Sequence, residues 1–158
     1  PFLPTLCTAL AAWRAEHGTP PLSARQALQP WATPLADTAV LAVPLTLPRD
    51  EAMAFCRWQG GRLVCPSTLD YHQRLQRYLC QRIDTADMLE YHLGLVLSAP
   101  GEASWQSGAP LDWTAGPRRF LAHLAATGHA AFAFVGGDGS WQAVAPTTAC
   151  YLLIEWDR

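Results

Sequence analysis

Two helical patterns stand back to back near the middle of this chain, and beyond them the periodicity changes to that of strands. The first pattern is "EAMAFCRWQGGRL", Glu51 to Leu63. Pro48, Asp50 and Glu51 suit a helix N-terminus, where proline costs little and carboxylates favour the dipole. Ala52, Phe55 and Cys56 follow at i, i+3 and i+4 as one apolar stripe. Gly60 and Gly61 can supply the left-handed stop. "RLVC" leads out as a short extended piece. The second pattern is "STLDYHQRLQRYLCQRI", where Ser67 and Asp70 predict a capping box. Tyr71, Leu75, Tyr78, Leu79 and Ile83 make one face of this helix, and Arg74, Gln76, Arg77 and Gln81 another.

Ahead of these helices, "ADTAVLAV" predicts a strand closed by Pro44. After them come "YHLGLVL" as a strand and "SAPGEASWQSGAPLDW" as loop and turn. "RRFLAHLAATG" predicts a short helix. "AAFAFV", "SWQAV" and "CYLLIEW" read as three strands, the first two joined across "GGDG", a hairpin signal. An order of β, α, α and then several strands argues an α+β fold with a mostly antiparallel sheet, not a doubly wound one. At the start of the chain, Leu6, Leu10 and Trp13 give "TLCTALAAWRAEHG" a helical face. "GTPP" breaks it, and Ser23 can cap a second short helix, "SARQALQPW", that Pro30 ends.

The 158 residues suffice for one domain with a sizeable core, and with half of them apolar and 15% charged, disorder is not expected. All 11 basic residues are arginine, so a Schiff-base lysine and a P-loop lysine are both excluded. Net charge is −2 with the arginines scattered, which gives no electrostatic footprint for nucleic acid. No apolar run reaches the length of a membrane span. No basic residue precedes the apolar start, so a secretory signal is not expected, and a start at Pro1 reads as a piece of a longer protein. Five cysteines, Cys7, Cys56, Cys65, Cys80 and Cys150, cannot all pair internally and form no CxxC. One or two bridges stay open. The odd count slightly favours a reducing, cytoplasmic setting over a secreted or surface one.

The segment "DEAMAFCRWQGGRLVCPSTLDYHQRLQRYL" resembles the two-helix first half of the C-type lectin-like domain, with its "A-x-x-F-C" helix, "G-G-x-L" and second helix. "YHLGLVL" sits where that family has "W-I-G-L". "ASWQSGAPLDW" resembles its "W-x-W-x-D-G-x-P-x-x-Y" loop, "AAFAFVGGDGSWQAV" its "C-V-x-M-x-x-D-G-x-W-x-D" hairpin, and "CYLLIEW" its closing "Y-I-C-E" strand. The resemblance implies a C-type lectin-like domain over residues 38–158, preceded by a helical extension over 1–37. The same segment is similar to the formylglycine-generating and sulfatase-modifying family, which shares the general fold. Its "P-T-E-x-E-W-E" continuation and C-terminal cysteine pair are missing here, so that activity is not expected.

Sugar binding in the lectin family usually works through calcium, held by an "E-P-N" or "Q-P-D" triplet and by the "W-N-D" of the hairpin. Here the triplet region reads "TAGPRRF", with two arginines that repel a cation. The "W-N-D" position reads Trp141, Gln142, Ala143. Calcium needs six to eight oxygen ligands, and Asp112 and Asp138 alone cannot supply them. No calcium, other metal or cofactor is therefore expected. The resemblance also implies a bridge from Cys56 to the last strand. The partner position falls on Ile154 or Glu155, with Cys150 a few residues earlier, so a Cys56–Cys150 bridge is the candidate and a buried apolar Cys56 the preferred reading. The family's second bridge is lost.

The other reactive residue types have plain readings. Cys65 and Cys80 are expected as buried apolar side chains. The five histidines show no metal spacing. A Cys–His catalytic pair such as Cys65 with His72 lacks an orienting group. Trp58, Trp113 and Trp141 are expected to pack the core or the loop base. Trp105, in a Ser/Gly/Pro loop, is the candidate for an exposed anchor, since aromatics and arginine dominate binding hot spots.

The reading is a calcium-independent module that recognises a protein or peptide, with no nucleic-acid partner and no membrane span in this chain, and with carbohydrate allowed but not through calcium. Its face is a long-loop region from about Trp105 to Ala126 plus the hairpin near Asp138, with Trp105, Asp112, Trp113, Arg118, Arg119, Asp138, Trp141 and Gln142 as ligand-binding residues. Arg118 and Arg119 are suited to holding a carboxylate or phosphate. A bacterial or viral parent is suggested by the arginine-, proline- and alanine-rich composition. The alternatives are a formylglycine-generating or other Cys-dependent enzyme, and a structural domain docking through its N-terminal helices.

Overall fold

The computed structural model describes residues 2–15, 27–82, 89–99, 102–110, 131–135 and 139–158. Helix α1 (Phe2–Ala15) is followed by a single 3-10 turn (Gln29–Trp31), β1 (Thr33–Leu35), β2 (Thr38–Leu47) and α2 (Arg49–Trp58). Then come β3 (Arg62–Leu63), α3 (Leu69–Arg82), β4 (Glu90–His92), β5 (Leu95–Ala99) and β6 (Glu102–Trp105). The chain ends in β7 (Ala131–Val135), β8 (Trp141–Val144) and β9 (Cys150–Asp157). The main sheet has the order β1-β2-β9-β4-β7-β8, with β3 also paired to β9, and β5-β6 form a separate hairpin. Its pairings are antiparallel except β4 with β9, so the expected α+β class with a mostly antiparallel sheet is what forms.

Strand β9 is the axis of the molecule, and its side chains alternate between two cores as the two-residue strand period requires. Leu152, Ile154 and Trp156 pack with Ala52, Phe55 and Cys56 of α2 and Leu6 of α1. Leu153 packs with Tyr71, Leu75, Tyr78 and Leu79 of α3, and with Trp105 and Trp141. Strand β2 repeats the division, with Leu41 and Val43 on the α2 side and Val40 on the α3 side. Because both faces are covered, "YLLIEW" reads as a nearly unbroken apolar run. The extension is seated on this core: Leu6 and Ala9 are buried, and Trp13 meets Phe55 edge-on with ring centroids 5.4 Å apart.

Helix α2 stops as its glycines predict. Gly60 adopts φ +75°, and the Gly61 N–H donates to the Cys56 carbonyl at 2.9 Å. A Cβ on Gly61 would lie 2.7 Å from the Glu155 carbonyl oxygen, so only glycine lets the chain cross β9 there. Helix α3 is capped by Thr68, whose hydroxyl accepts from the Tyr71 N–H at 3.2 Å. The helix starts at Leu69, which puts Thr68 and not Ser67 at the capping position and removes the expected Ser67–Asp70 box. Asp70 pairs instead with Arg74 one turn on, at 2.7 Å.

Three strand expectations are corrected. β2 does not close at Pro44 but runs to Leu47, with a register shift between Val43 and Thr46. Pro44 is exposed in that irregularity, where its missing N–H breaks no ladder bond. "YHLGLVL" is not one strand: Gly94 separates β4 from β5, its N–H donating to the Val64 carbonyl at 2.9 Å. Within the expected loop after it, Glu102–Trp105 is a strand paired back on β5. The helix expected at "RRFLAHLAATG" and the first four residues of "SARQALQPW" lie outside the described residues; the rest of the latter is a turn and the 3-10 turn Gln29–Trp31, which contains Pro30 instead of ending at it.

His92 in β4 is fully buried. Its Nε2 donates to the Leu47 carbonyl at 2.7 Å, and its Nδ1 has no partner among the described residues. Burial, reinforced by the nearby Arg49 charge, holds its pKa below the ordinary histidine value against the opposing Leu47 bond; burial alone does the same to His72. Both are therefore neutral when folded at a pH where the unfolded chain already binds protons. Stability is predicted to be full above the unfolded value of about 6.5 and to fall as pH drops below it. Urea titrations at pH 7.5 and 5.5 check this, and His92→Gln is expected to reduce the difference.

Candidate functional site

The base of the long-loop region is built by residues far apart in sequence. Trp105 closes β6 and Trp141 opens β8, and their rings meet edge to face at 5.5 Å and 89°. His72 of α3 lies 5.8 Å from Trp141. Pairing of Leu95 with Trp105 in the β5–β6 hairpin sets the tryptophan beside a buried leucine. Trp105 is only 2% exposed, so the expectation of a solvent-facing anchor is corrected: it is core. Its indole N–H is buried and has no acceptor among the described residues. Trp141 is buried, as expected of a loop-base residue.

Gln142 follows on β8, opposite Ala133 of β7, and its side-chain amide donates to the Glu90 carboxylate on β4. The structure thus brings Trp105 and Trp141 into one cluster and ties Gln142 across the sheet beside it. Asp112, Trp113, Arg118, Arg119 and Asp138 lie outside the described residues.

A second polar constellation went unseen in the sequence. Glu155 is 1% exposed in β9 and has three partners. Arg62 Nε donates to one oxygen at 2.7 Å; the Tyr71 hydroxyl, at 2.6 Å, and the Cys65 N–H, at 3.0 Å, donate to the other. Arg62 reaches on with both terminal nitrogens to Asp157, at 2.5 and 3.0 Å. The Thr38 hydroxyl lies 3.0 Å from that of Tyr71. A cleft of about 260 Å³ opens over the network, lined also by Asp37, Ser67 and Ser107. The available signal was one carboxylate inside a buried apolar strand, which demands a cationic or N–H partner.

This network holds its groups in unreactive states. Burial first, and then the Glu155 charge, push the Cys65 thiol up to about 12 and raise Tyr71 well above the ordinary phenol range. Burial raises Cys56 strongly and pushes Cys150 up to about 11. Buried thiols held protonated are poor nucleophiles. Among the described residues no three His, Cys, Asp or Glu side chains gather as a metal-ligand group.

None of the five cysteines is in a disulfide. Cys56 is buried against the cluster that contains Ile154, and Cys150 begins β9 four residues earlier. That offset is about 13 Å along a strand, whereas a bridge needs Cα atoms within about 7 Å. Cys7 and Cys80 are exposed, which corrects the expectation that Cys80 is core. Cys80 falls beside, not on, the helix stripe formed by Leu75 and Leu79. A thiol reagent is predicted to label two cysteines quickly in the native protein and all five in denaturant. Fewer than five in denaturant without reductant would mean a bridge.

Comparison with solved structures decides the architecture. The human scavenger receptor C-type lectin carbohydrate-recognition domain superposes with a TM-score of 0.63, 20% identity, and coverage of 82% of this chain and 98% of that one. The chain has the C-type lectin-like fold. Human lithostathine matches with a TM-score of 0.67 at 12% identity, covering 80% of this chain and 88% of that one. The SPL-1–GlcNAc complex matches at 0.66 and 12%, covering 80% and 92%. No family model and no curated protein matches at the level of sequence. In this C-type lectin-like domain, the thiol of Cys56 and the side chain of Ile154 share one apolar cluster at the positions the resemblance assigns to a bridge.

Proposed function

We propose that this domain is a binding module that recognises a protein or peptide through its long-loop face without calcium. The observation that carries the reading is the hydrogen bond from Gln142 to Glu90. At the place where calcium-binding members present an asparagine and an aspartate, this chain commits its amide to the sheet and follows it with Ala143, which offers no side-chain oxygen. The buried Trp105–Trp141 pair supports the reading as a rigid floor, because loops on a rigid scaffold are where recognition residues sit. Asp112, Trp113, Arg118, Arg119 and Asp138 are the residues this reading assigns to the contacts, with the two arginines suited to a carboxylate or phosphate. The protonated, buried thiols favour binding over cysteine-dependent catalysis. The parent is a larger bacterial or viral protein, and the unbridged cysteines favour a reducing compartment. The GlcNAc bound by SPL-1 favours carbohydrate as the second reading.

A peptide and glycan array probed in chelator tests both. Peptide spots that persist in chelator and fade for an Arg118→Ala/Arg119→Ala variant support the proposal. Signal confined to glycans and dependent on added calcium contradicts it.

A further inference from the structure

We propose a second binding site, in the cleft between α2 and the β5–β6 hairpin, for a ligand that carries a carboxylate on a short apolar body. The cleft has a volume of about 300 Å³ and is lined by Met53, Arg57, Arg62, Val96 and Gln106. That volume lies at the small end of the range of ligand pockets. Among the described residues two guanidinium groups line it and no acidic side chain does. Met53 and Arg57 are one helical turn apart and share a face of α2. Val96 supplies an apolar wall from β5, and Gln106, whose N–H donates to the Gly94 carbonyl at 2.8 Å, fixes the far rim.

The two arginines have different parts. Arg62 is clamped by Glu155 and Asp157, which more than offset its charge and use three of its five N–H donors. It therefore offers the remaining donors in a fixed orientation, with little rotamer entropy left to lose. Arg57 is exposed in the last turn of α2, and its guanidinium has no hydrogen-bond or ion-pair partner among the described residues. It supplies a guanidinium that no carboxylate among the described residues pairs. A planar fork matches a carboxylate by two parallel bonds. Met53 and Val96 then receive a few carbons, so the ligand is amphipathic: a free short-chain carboxylic acid or the C-terminal residue of a peptide. Only Gln106 is shared with the segment assigned to the long-loop face, so this site does not rest on that reading.

An amide-resolved NMR titration of the whole chain tests the site with three probes: N-acetyl-leucine, N-acetyl-leucine amide and hexanoate. Saturable shifts clustered at Met53, Arg57 and Val96 are expected for N-acetyl-leucine, with the amide binding about tenfold more weakly. Arg57→Gln, at an exposed helix position that leaves the fold intact, is expected to bring the acid down to the level of the amide. Met53→Glu, which sets a carboxylate in the cleft, should do the same. Hexanoate binding equal to that of N-acetyl-leucine identifies the source as a free acid, and binding of N-acetyl-leucine alone identifies a peptide C-terminus. Absence of saturable shifts, equal affinity for acid and amide, or indifference to both substitutions overturns the proposal. An Arg118→Ala/Arg119→Ala variant, which removes the long-loop arginines, should leave this titration unchanged.

Discussion

Replacing Arg62 with methionine is expected to lower the stability of the chain by about 3 kcal/mol, because it leaves the Glu155 carboxylate buried without its cation. Glu155 is 1% exposed and the Arg62 side chain 23%, so the pair sits where solvent screens little. The loss is held to the lower end of the range for broken buried pairs because Tyr71 and the Cys65 N–H still donate to the carboxylate. Glu155→Gln should cost less, about 1–2 kcal/mol, since glutamine keeps an acceptor for those two donors and Arg62 keeps Asp157. Asp157→Asn should change little, within about 0.5 kcal/mol, because Asp157 is exposed and its bond with Arg62 is screened. Urea unfolding midpoints at constant slope give all three values. Equal costs for Arg62→Met and Asp157→Asn would mean that the buried half of the network carries no weight.

Phe55→Ala is expected to cost about 3–5 kcal/mol and to lower the melting temperature by roughly 10 °C. Phe55 is fully buried, with Trp13 edge-on at 5.4 Å and Trp58 stacked at 6.0 Å and 28°. Truncation opens a cavity where α1, α2 and β9 meet. Trp13→Ala should cost less, because Trp13 is half-buried, but its effect must be measurable if the N-terminal helix belongs to the same core. A Trp13→Ala variant that melts with the parent chain would detach α1 from the account.

The same residues show why some of this fold was legible in the sequence and some was not. Helix α2 was read to its glycines because its signals are local: carboxylates in the first turn, an apolar stripe, then residues free to turn left. The grouping of helices before strands carried the α+β class, and five weak motifs in order carried the lectin-like architecture. Long-range partners left no such local trace. Arg62 and Glu155 are 93 positions apart, and each alone reads as a charge beside an apolar run. Trp105 was placed outside because its neighbours are Ser, Gly and Pro, yet strand pairing with Leu95 turned it inward. Pro44 looked like a strand end because a proline cannot continue a ladder, and the bulge that admits it depends on the register of β9. Of the candidate site, Trp141 and Gln142 were found at the loop base, whereas the contacts expected of Arg118 and Arg119 rest on sequence alone.

Calcium-independence is the claim on which the functional reading turns, and a melting curve measures it. Sites in extracellular modules bind calcium at about 0.1–1 mM. At about 10 mM calcium, such a site would add at least about 1.4 kcal/mol by mass action, which is a rise of roughly 3–6 °C for a chain of this length. The account predicts the same melting temperature in about 10 mM calcium and in chelator, to within about 1 °C. A calcium-dependent rise of about 3 °C or more, absent with magnesium, would contradict it.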